Sequence, residues 1–161
     1  MQVARHSAAS VIWNNTLYIS GGTVPRNGTG SIIAINSTEI IVQNNLTKIR
    51  KPKDLLQPLS GHCAVLLSTK KIMIIGGRDL NDNQNKTYFV DPKENFDSTD
   101  GPSMTNSRRF HACGSTVFKN EDYVMVLGGY PSKSSFKAEL YRGSYNNWTE
   151  CKLLIFTIYI S

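Results

Sequence analysis

Short apolar runs separated by polar punctuation fill the chain. Three of them end in a pair of glycines: "LYISGG" at Gly21-Gly22, "IMIIGG" at Gly76-Gly77 and "VMVLGG" at Gly128-Gly129. The pairs are offset by 55 and 52 residues, which marks a repeat architecture. Ahead of each pair lies a run of small and apolar residues, "RHSAASV", "GHCAVLL" or "FHACGSTV", and a polar turn, "NNT", "STKK" or "KNED", joins the two. Two such runs around a turn predict a β-hairpin. Beyond the glycines come variable polar stretches such as "RDLNDNQNK" and a third strand, "KTYFVDP" or "AELYRGS". A short segment ending in Phe96 or Trp148 follows, giving four strands per unit. No stretch of about eleven residues carries helical apolar spacing with caps, and Gly, Pro, Asn and Ser recur too often for long helices. The predicted fold class is all-β.

A glycine pair at a strand end permits positive φ and removes side chains where neighbouring strands crowd together. Four-stranded antiparallel units of this length, each ending its second strand in Gly-Gly, are the blades of a propeller. In "LYISGG", "IMIIGG" and "VMVLGG", in the Arg/His-containing strand before them, and in the pair Tyr141 and Trp148, the chain resembles the kelch family. The resemblance covers residues 3–151. It implies a partial kelch-type β-propeller of about three blades, residues 1–57, 58–106 and 107–151, with an apolar tail at 152–161. The second unit has Tyr88 and Phe96 in the aromatic positions, and the first has Ile35 with no aromatic partner in "STEIIVQNN". Three blades leave open edges, so further blades are expected, from a longer chain of which this is a fragment or from association.

Composition adds less. The net charge of +6 and pI near 9.3 suit an anionic partner, but only "KIRKPK" at 48–53 is dense in charge, and it reads as a solvated loop after a strand, not a nucleic-acid patch. "MQVARHSAAS" has no apolar stretch of a signal peptide, and the start reads as truncated. "LLIFTIYI" at 153–160 falls short of the roughly 20 residues that span a bilayer, so no membrane insertion is expected; it reads as a strand or a non-native end. The cysteines, Cys63, Cys113 and Cys151, read as free core thiols and leave the redox compartment open. Six N-x-[ST] sequons, at Asn14, Asn27, Asn36, Asn45, Asn85 and Asn147, exceed the roughly two that composition gives by chance. They are glycosylation candidates and favour an extracellular setting over the cytoplasm.

Candidate chemistry is sparse. His6, His62 and His111 recur once per unit when Ser7 is set against His62, and read as structural histidines hydrogen-bonded to backbone. None has the close spacing of a metal site. In "DLNDNQN" the sixth and twelfth positions of a calcium loop are Gln84 and Val90, so that reading fails. The acidic residues are dispersed, no nucleophile elbow occurs, and the glycine pairs lack the rest of a phosphate-binding motif. Neither catalytic residues nor a cofactor is expected. The resemblance implies a non-enzymatic protein-interaction module that presents blade loops to a protein or peptide partner. By position in those loops, Arg26, Arg78, Arg108, Arg109 and Tyr130 are the partner-binding candidates. It also admits a substrate-recognition domain of an intracellular ubiquitin-ligase adaptor, an actin-associated protein, or an oxidase-like or sugar-processing propeller enzyme.

Overall fold

The computed structural model describes residues 3–26, 28, 30–42, 45–50, 52–131 and 137–151, and of residues 45–50 the backbone alone. The described chain is all-β and its sheets are antiparallel throughout. Sheet 1 runs through β1 (Ala9–Trp13) and β2 (Thr16–Ser20), then skips a small separate hairpin of β3 (Thr23–Pro25) and β4 (Ile32–Ala34), and resumes with β5 (Thr38–Val42) and β6 (Asn45–Arg50). Sheet 2 is β7 (Cys63–Leu66), β8 (Ile72–Ile75), β9 (Thr87–Asp91) and β10 (Asp97–Asp100). Sheet 3 is β11 (Ala112–Phe118), β12 (Glu121–Leu127), β13 (Ala138–Arg142) and β14 (Asn147–Cys151). Within each sheet the strands pair in chain order. Among the described residues, a single 3-10 turn, at Pro92–Glu94, is capped by Asp91, whose carboxylate accepts from the Lys93 amide.

The hairpin turns follow from their residues. Asn14-Asn15 and Lys119-Asn120 all have positive φ, the condition for a two-residue turn whose twist matches its strands. Two details differ from the sequence reading. The fourth strands begin at the aromatic positions instead of ending there, because Phe96, at φ 61, completes the turn into β10 and Trp148 is the second residue of β14. The β3–β4 hairpin, which leans on Val24 and Ile33 opposite each other, has no counterpart among the other described segments.

Sheet 2 lies between the other two, with β7 packed against β1 on one side and β11 on the other. Its central strand "IMII" is therefore buried on both faces, which is why it reads as a continuous apolar run instead of alternating. Ile72 and Ile74 join Tyr18, Ile40, Tyr88, Val90 and Phe96 in one core, where Tyr18 stacks on Phe96 at 5.2 Å. Met73 and Ile75 join Val65, Val124, Val126, Tyr141 and Trp148 in the other. Each buried isoleucine stabilises the fold by roughly 1.5–3 kcal/mol.

The sulfur chemistry corrects the sequence reading. Cys63 of β7 and Cys113 of β11 form a disulfide across sheets 2 and 3, with their Cα atoms 6.3 Å apart; only Cys151 is free among the described residues. Both residues lie on strands whose facing sides meet in the second core, so the bond spans an interface the apolar pattern had already built. No described helix is long and apolar enough to cross a membrane. The tail at 152–161 and Asn27 lie outside the described residues, as does the side chain of Asn45.

Candidate recognition site

The residue after each glycine pair is tied to the approach of its unit's first strand. His6 bridges Thr23, Ser60 bridges Arg78, and Arg109 bridges Tyr130, each through a reciprocal pair of backbone hydrogen bonds of 2.8 to 3.2 Å. These three bridges set the units in register. Further backbone bonds then link one unit to the next: Gly61 donates to the Ser7 carbonyl at 2.8 Å and Phe110 to the Gly61 carbonyl at 2.7 Å. Gly22 and Gly77 donate to the Leu59 and Arg108 carbonyls, both at 2.8 Å. A side chain on Gly77 would sit 2.7 Å from His62 Cβ, so the chain must be glycine there for the bridge to close.

That register moves one sequence equivalence. Ala8, not His6 or Ser7, corresponds to His62 and His111, and His6 corresponds to Ser60 and Arg109. His62 Nε2 lies 2.9 Å from the Ser20 hydroxyl of the preceding sheet, and the His111 ring lies against Gly76. They are inter-sheet spacers, and the partners of His6 and His62 are hydroxyls (Thr23 at 2.9 Å, Ser20) instead of the backbone groups expected. Burial drives the His62 pKa down to about 3, helped by the nearby His111 and opposed by the Ser20 backbone. Burial likewise lowers His111 to about 4; the Arg108 charge acts in the same direction, and the Ile75 carbonyl, short of hydrogen-bond geometry, acts weakly against both. Both imidazoles are neutral spacers at neutral pH.

The five arginine and tyrosine candidates divide. Arg108 is fully buried, ion-paired to Glu139 at 2.7 Å, and donates to the Gly128 and Lys137 carbonyls at 3.1 and 2.9 Å. It holds sheet 3 together and does not face a partner. The register places Arg5 in the equivalent position, where it pairs with Glu39 and donates to the Gly21 and Ser37 carbonyls. Sheet 2 has Leu59 and Tyr88 in place of the pair, which also shows that Tyr88 matches Glu139 and that Val90, not Tyr88, matches Tyr141. Sequence reading missed these ion pairs. Their signal was an acid at the second position of the third strands that begin "TEII" and "AELY", where the one unit that lacks the arginine has Tyr88.

The other four come together. Arg26, Arg78 and Arg109, contributed by the three different units, line one cleft of about 350 Å³ together with His6, Thr23 and Phe110. Arg78, Arg109 and Tyr130 line an adjoining recess of about 220 Å³. The Arg109 guanidinium carbon is 4.8 Å from the Tyr130 ring centre and 5.3 Å from that of Phe110, a stacked arrangement that holds the charge over two π-faces. Asp79 also lines the cleft, but its carboxylate accepts from the Asn81 and Asp82 backbone amides at 2.7 Å each and from the Gln84 side-chain carboxamide at 2.8 Å. No three described His, Cys, Asp or Glu side chains gather as a metal site would require.

The sequons divide as well. Asn36 and Asn85 are structural: their carboxamides donate to the Leu55 and Met104 carbonyls at 3.4 and 2.9 Å, while their carbonyls accept from the amides of those same residues. The hydroxyl of each sequon threonine, Thr38 and Thr87, is buried and donates to Lys53 and Pro102 carbonyls at 3.0 and 2.7 Å. A repeated latch for the connection to the next sheet thus accounts for part of the sequon excess. Asn14, in a hairpin turn, and Asn147, on β14, are exposed. No protein-family model matches the chain, and no curated protein matches it.

Proposed function

We propose that the three four-stranded sheets are blades of a kelch-type β-propeller and that the protein is a non-enzymatic recognition module, binding a protein or peptide partner at the end of the blades that carries the glycine pairs. The observation that carries this reading is the convergence of Arg26, Arg78 and Arg109, one from each unit, on a single cleft. Backbone bridges fix the approach to Arg78, Arg109 and Tyr130, so a partner meets a preorganised surface and little ordering cost arises on binding. Arginine and tyrosine suit such a surface, because a planar charged fork and a rigid ring lose little entropy per contact. The inter-sheet disulfide and the exposed sequons Asn14 and Asn147 favour a secreted or cell-surface setting.

Selection of a random peptide library on the full chain tests the function. Peptides should enrich, and their binding should fall at least about ten-fold when Arg78→Ala and Arg109→Ala are combined. Lys71→Ala, in the hairpin turn at the other end of sheet 2, should leave binding unchanged. Failure of any peptide to enrich, or equal loss from both changes, would remove the proposal.

A further inference from the structure

Two sheet faces have no neighbouring sheet among the described residues: the sides of sheet 1 and of sheet 3 that point away from sheet 2. Resting on the blade reading above, we propose that these two faces cover each other between two copies of the chain, so that a head-to-tail pair closes one ring.

Both faces are built like the buried ones. Met125 and Leu127 stand where sheet 2 has Met73 and Ile75, which are buried in the core shared with sheet 3. With Ala112 and Leu140 they line an open groove of about 400 Å³. On sheet 1, Tyr18 and Ile40 belong to the core shared with sheet 2, so strand alternation turns Leu17, Ile19 and Ile41 the other way, beside Ser10 and the exposed Ile12 of β1. A four-stranded face of five-residue strands measures about 19 by 17 Å, or roughly 320 Å². Two such contacts, counting both sides of each, cover about 1,300 Å², inside the roughly 1,200–2,000 Å² of specific interfaces. Two copies of three sheets make six, within the roughly four to eight at which propellers close.

The backbone identifies the occupant as a second copy. At both described junctions the same two hydrogen bonds recur. The second glycine of one unit donates to a carbonyl of the next, Gly22 to Leu59 and Gly77 to Arg108, both at 2.8 Å. An amide of the later unit donates back, Gly61 to Ser7 at 2.8 Å and Phe110 to Gly61 at 2.7 Å. Carried one step on, the pattern asks Gly129 to donate to the residue equivalent to Leu59 and Arg108, and the Phe110 carbonyl to accept from the residue equivalent to Gly61. In this chain those residues are Arg5 and Ser7. Among the described residues, the Gly129 and Ser7 amides and the Arg5 and Phe110 carbonyls have no hydrogen-bond partner. Two open donors and two open acceptors on opposite sides of one chain complement each other, as the two ends of a head-to-tail contact must. Side-chain bulk fits as well: where the small Ser20 meets His62, the new junction sets the larger Leu127 against the small Ala8. The places of Cys63 and Cys113 fall to Ala112, opposite Leu127, and to Ser10, opposite Ile19. This junction therefore has no disulfide, and the pair depends on concentration. A non-covalent contact of this size dissociates in roughly the micromolar range, below which the single copy is the species present.

Sedimentation equilibrium of the full chain, from about 1 to 200 μM, reads the pair directly. The mass should rise from one 17.9 kDa chain to two and stop there. Leu127→Glu buries a charge in the junction and should weaken the pair at least about thirty-fold, while its Cys63–Cys113 bond, mapped in parallel, shows that the variant is folded. Leu56→Glu, exposed in the connection between sheets 1 and 2, should leave the pair intact. A second variant traps the junction: Ser10→Cys with Ala112→Cys, in a chain that also carries Cys151→Ser, should oxidise to a covalent dimer whose bonds join residue 10 of one copy to residue 112 of the other. A single chain at every concentration overturns the proposal and leaves the faces to residues 152–161 or to another partner. So does a ladder of three or more copies, which a closed pair forbids, a pair indifferent to Leu127→Glu, or a bond between residues 10 and 112 of one chain. If the chain stays single yet holds the Cys63–Cys113 bond and binds selected peptides, the pairing fails while the recognition function stands.

Discussion

Sheets 2 and 3 share strand order and a glycine pair at the end of the second strand, and they differ in what lies on their second face. Met73 and Ile75 of β8 are 0% exposed, while Met125 and Leu127, at the matching places ahead of the glycines in β12, are each 41% exposed. The glycines report the same difference. A Cβ on Gly76 would lie 2.7 Å from the Arg108 carbonyl oxygen and 3.0 Å from His111, whereas one on Gly128 would meet nothing within 4 Å. The apolar residues of a strand are thus buried by the neighbouring sheet more than by their own. Stability in such an array is a sum of unit and nearest-neighbour interface contributions, and sheet 2 has two described interfaces where sheet 3 has one.

The largest expected effect comes from the ion pair that sheet 3 has and sheet 2 lacks. Arg108→Ala leaves Glu139 buried without its counter-ion and should cost about 3–5 kcal/mol in urea denaturation. Combining Arg108→Leu with Glu139→Tyr imports the Leu59 and Tyr88 of sheet 2 and should recover at least half of that loss, since an apolar pair needs no charge compensation. A double variant as unstable as the single one would show that the two units are not interchangeable at this position.

Next comes the packing contrast itself. Met73→Ala should cost about 2–5 kcal/mol through the cavity it leaves, and Met125→Ala less than about 1 kcal/mol. Equal losses would erase the difference between the two sheets.

The hairpins and the all-β class were legible because they rest on local rules: apolar runs, a turn of Asn and Lys, glycines at strand ends. The pairing of Cys63 with Cys113 was not, since it depends on β7 and β11 lying side by side, a contact between residues far apart in sequence. The histidine equivalence failed for a related reason. Residue counting across a hairpin assumes constant length, but β7 and β8 are joined by a longer turn than β1 and β2, and β11 and β12 are longer strands, so Ser7 was set where Ala8 belongs. The grouping of Arg78, Arg109 and Tyr130 was half visible: position after Gly-Gly marked Arg78 and Tyr130, while Arg109 and Arg108, adjacent in sequence, have opposite fates that only strand alternation decides.

The side-by-side placement of β7 and β11 underlies the shared core and the convergence of Arg78 and Arg109 on the cleft. Peptide mapping of the full chain, refolded under oxidising conditions and digested without reduction, tests it most directly. A single cross-linked species joining Cys63 to Cys113, with Cys151 open to alkylation, is the predicted result; a bond from Cys151 to either partner, or three alkylated cysteines, would contradict it.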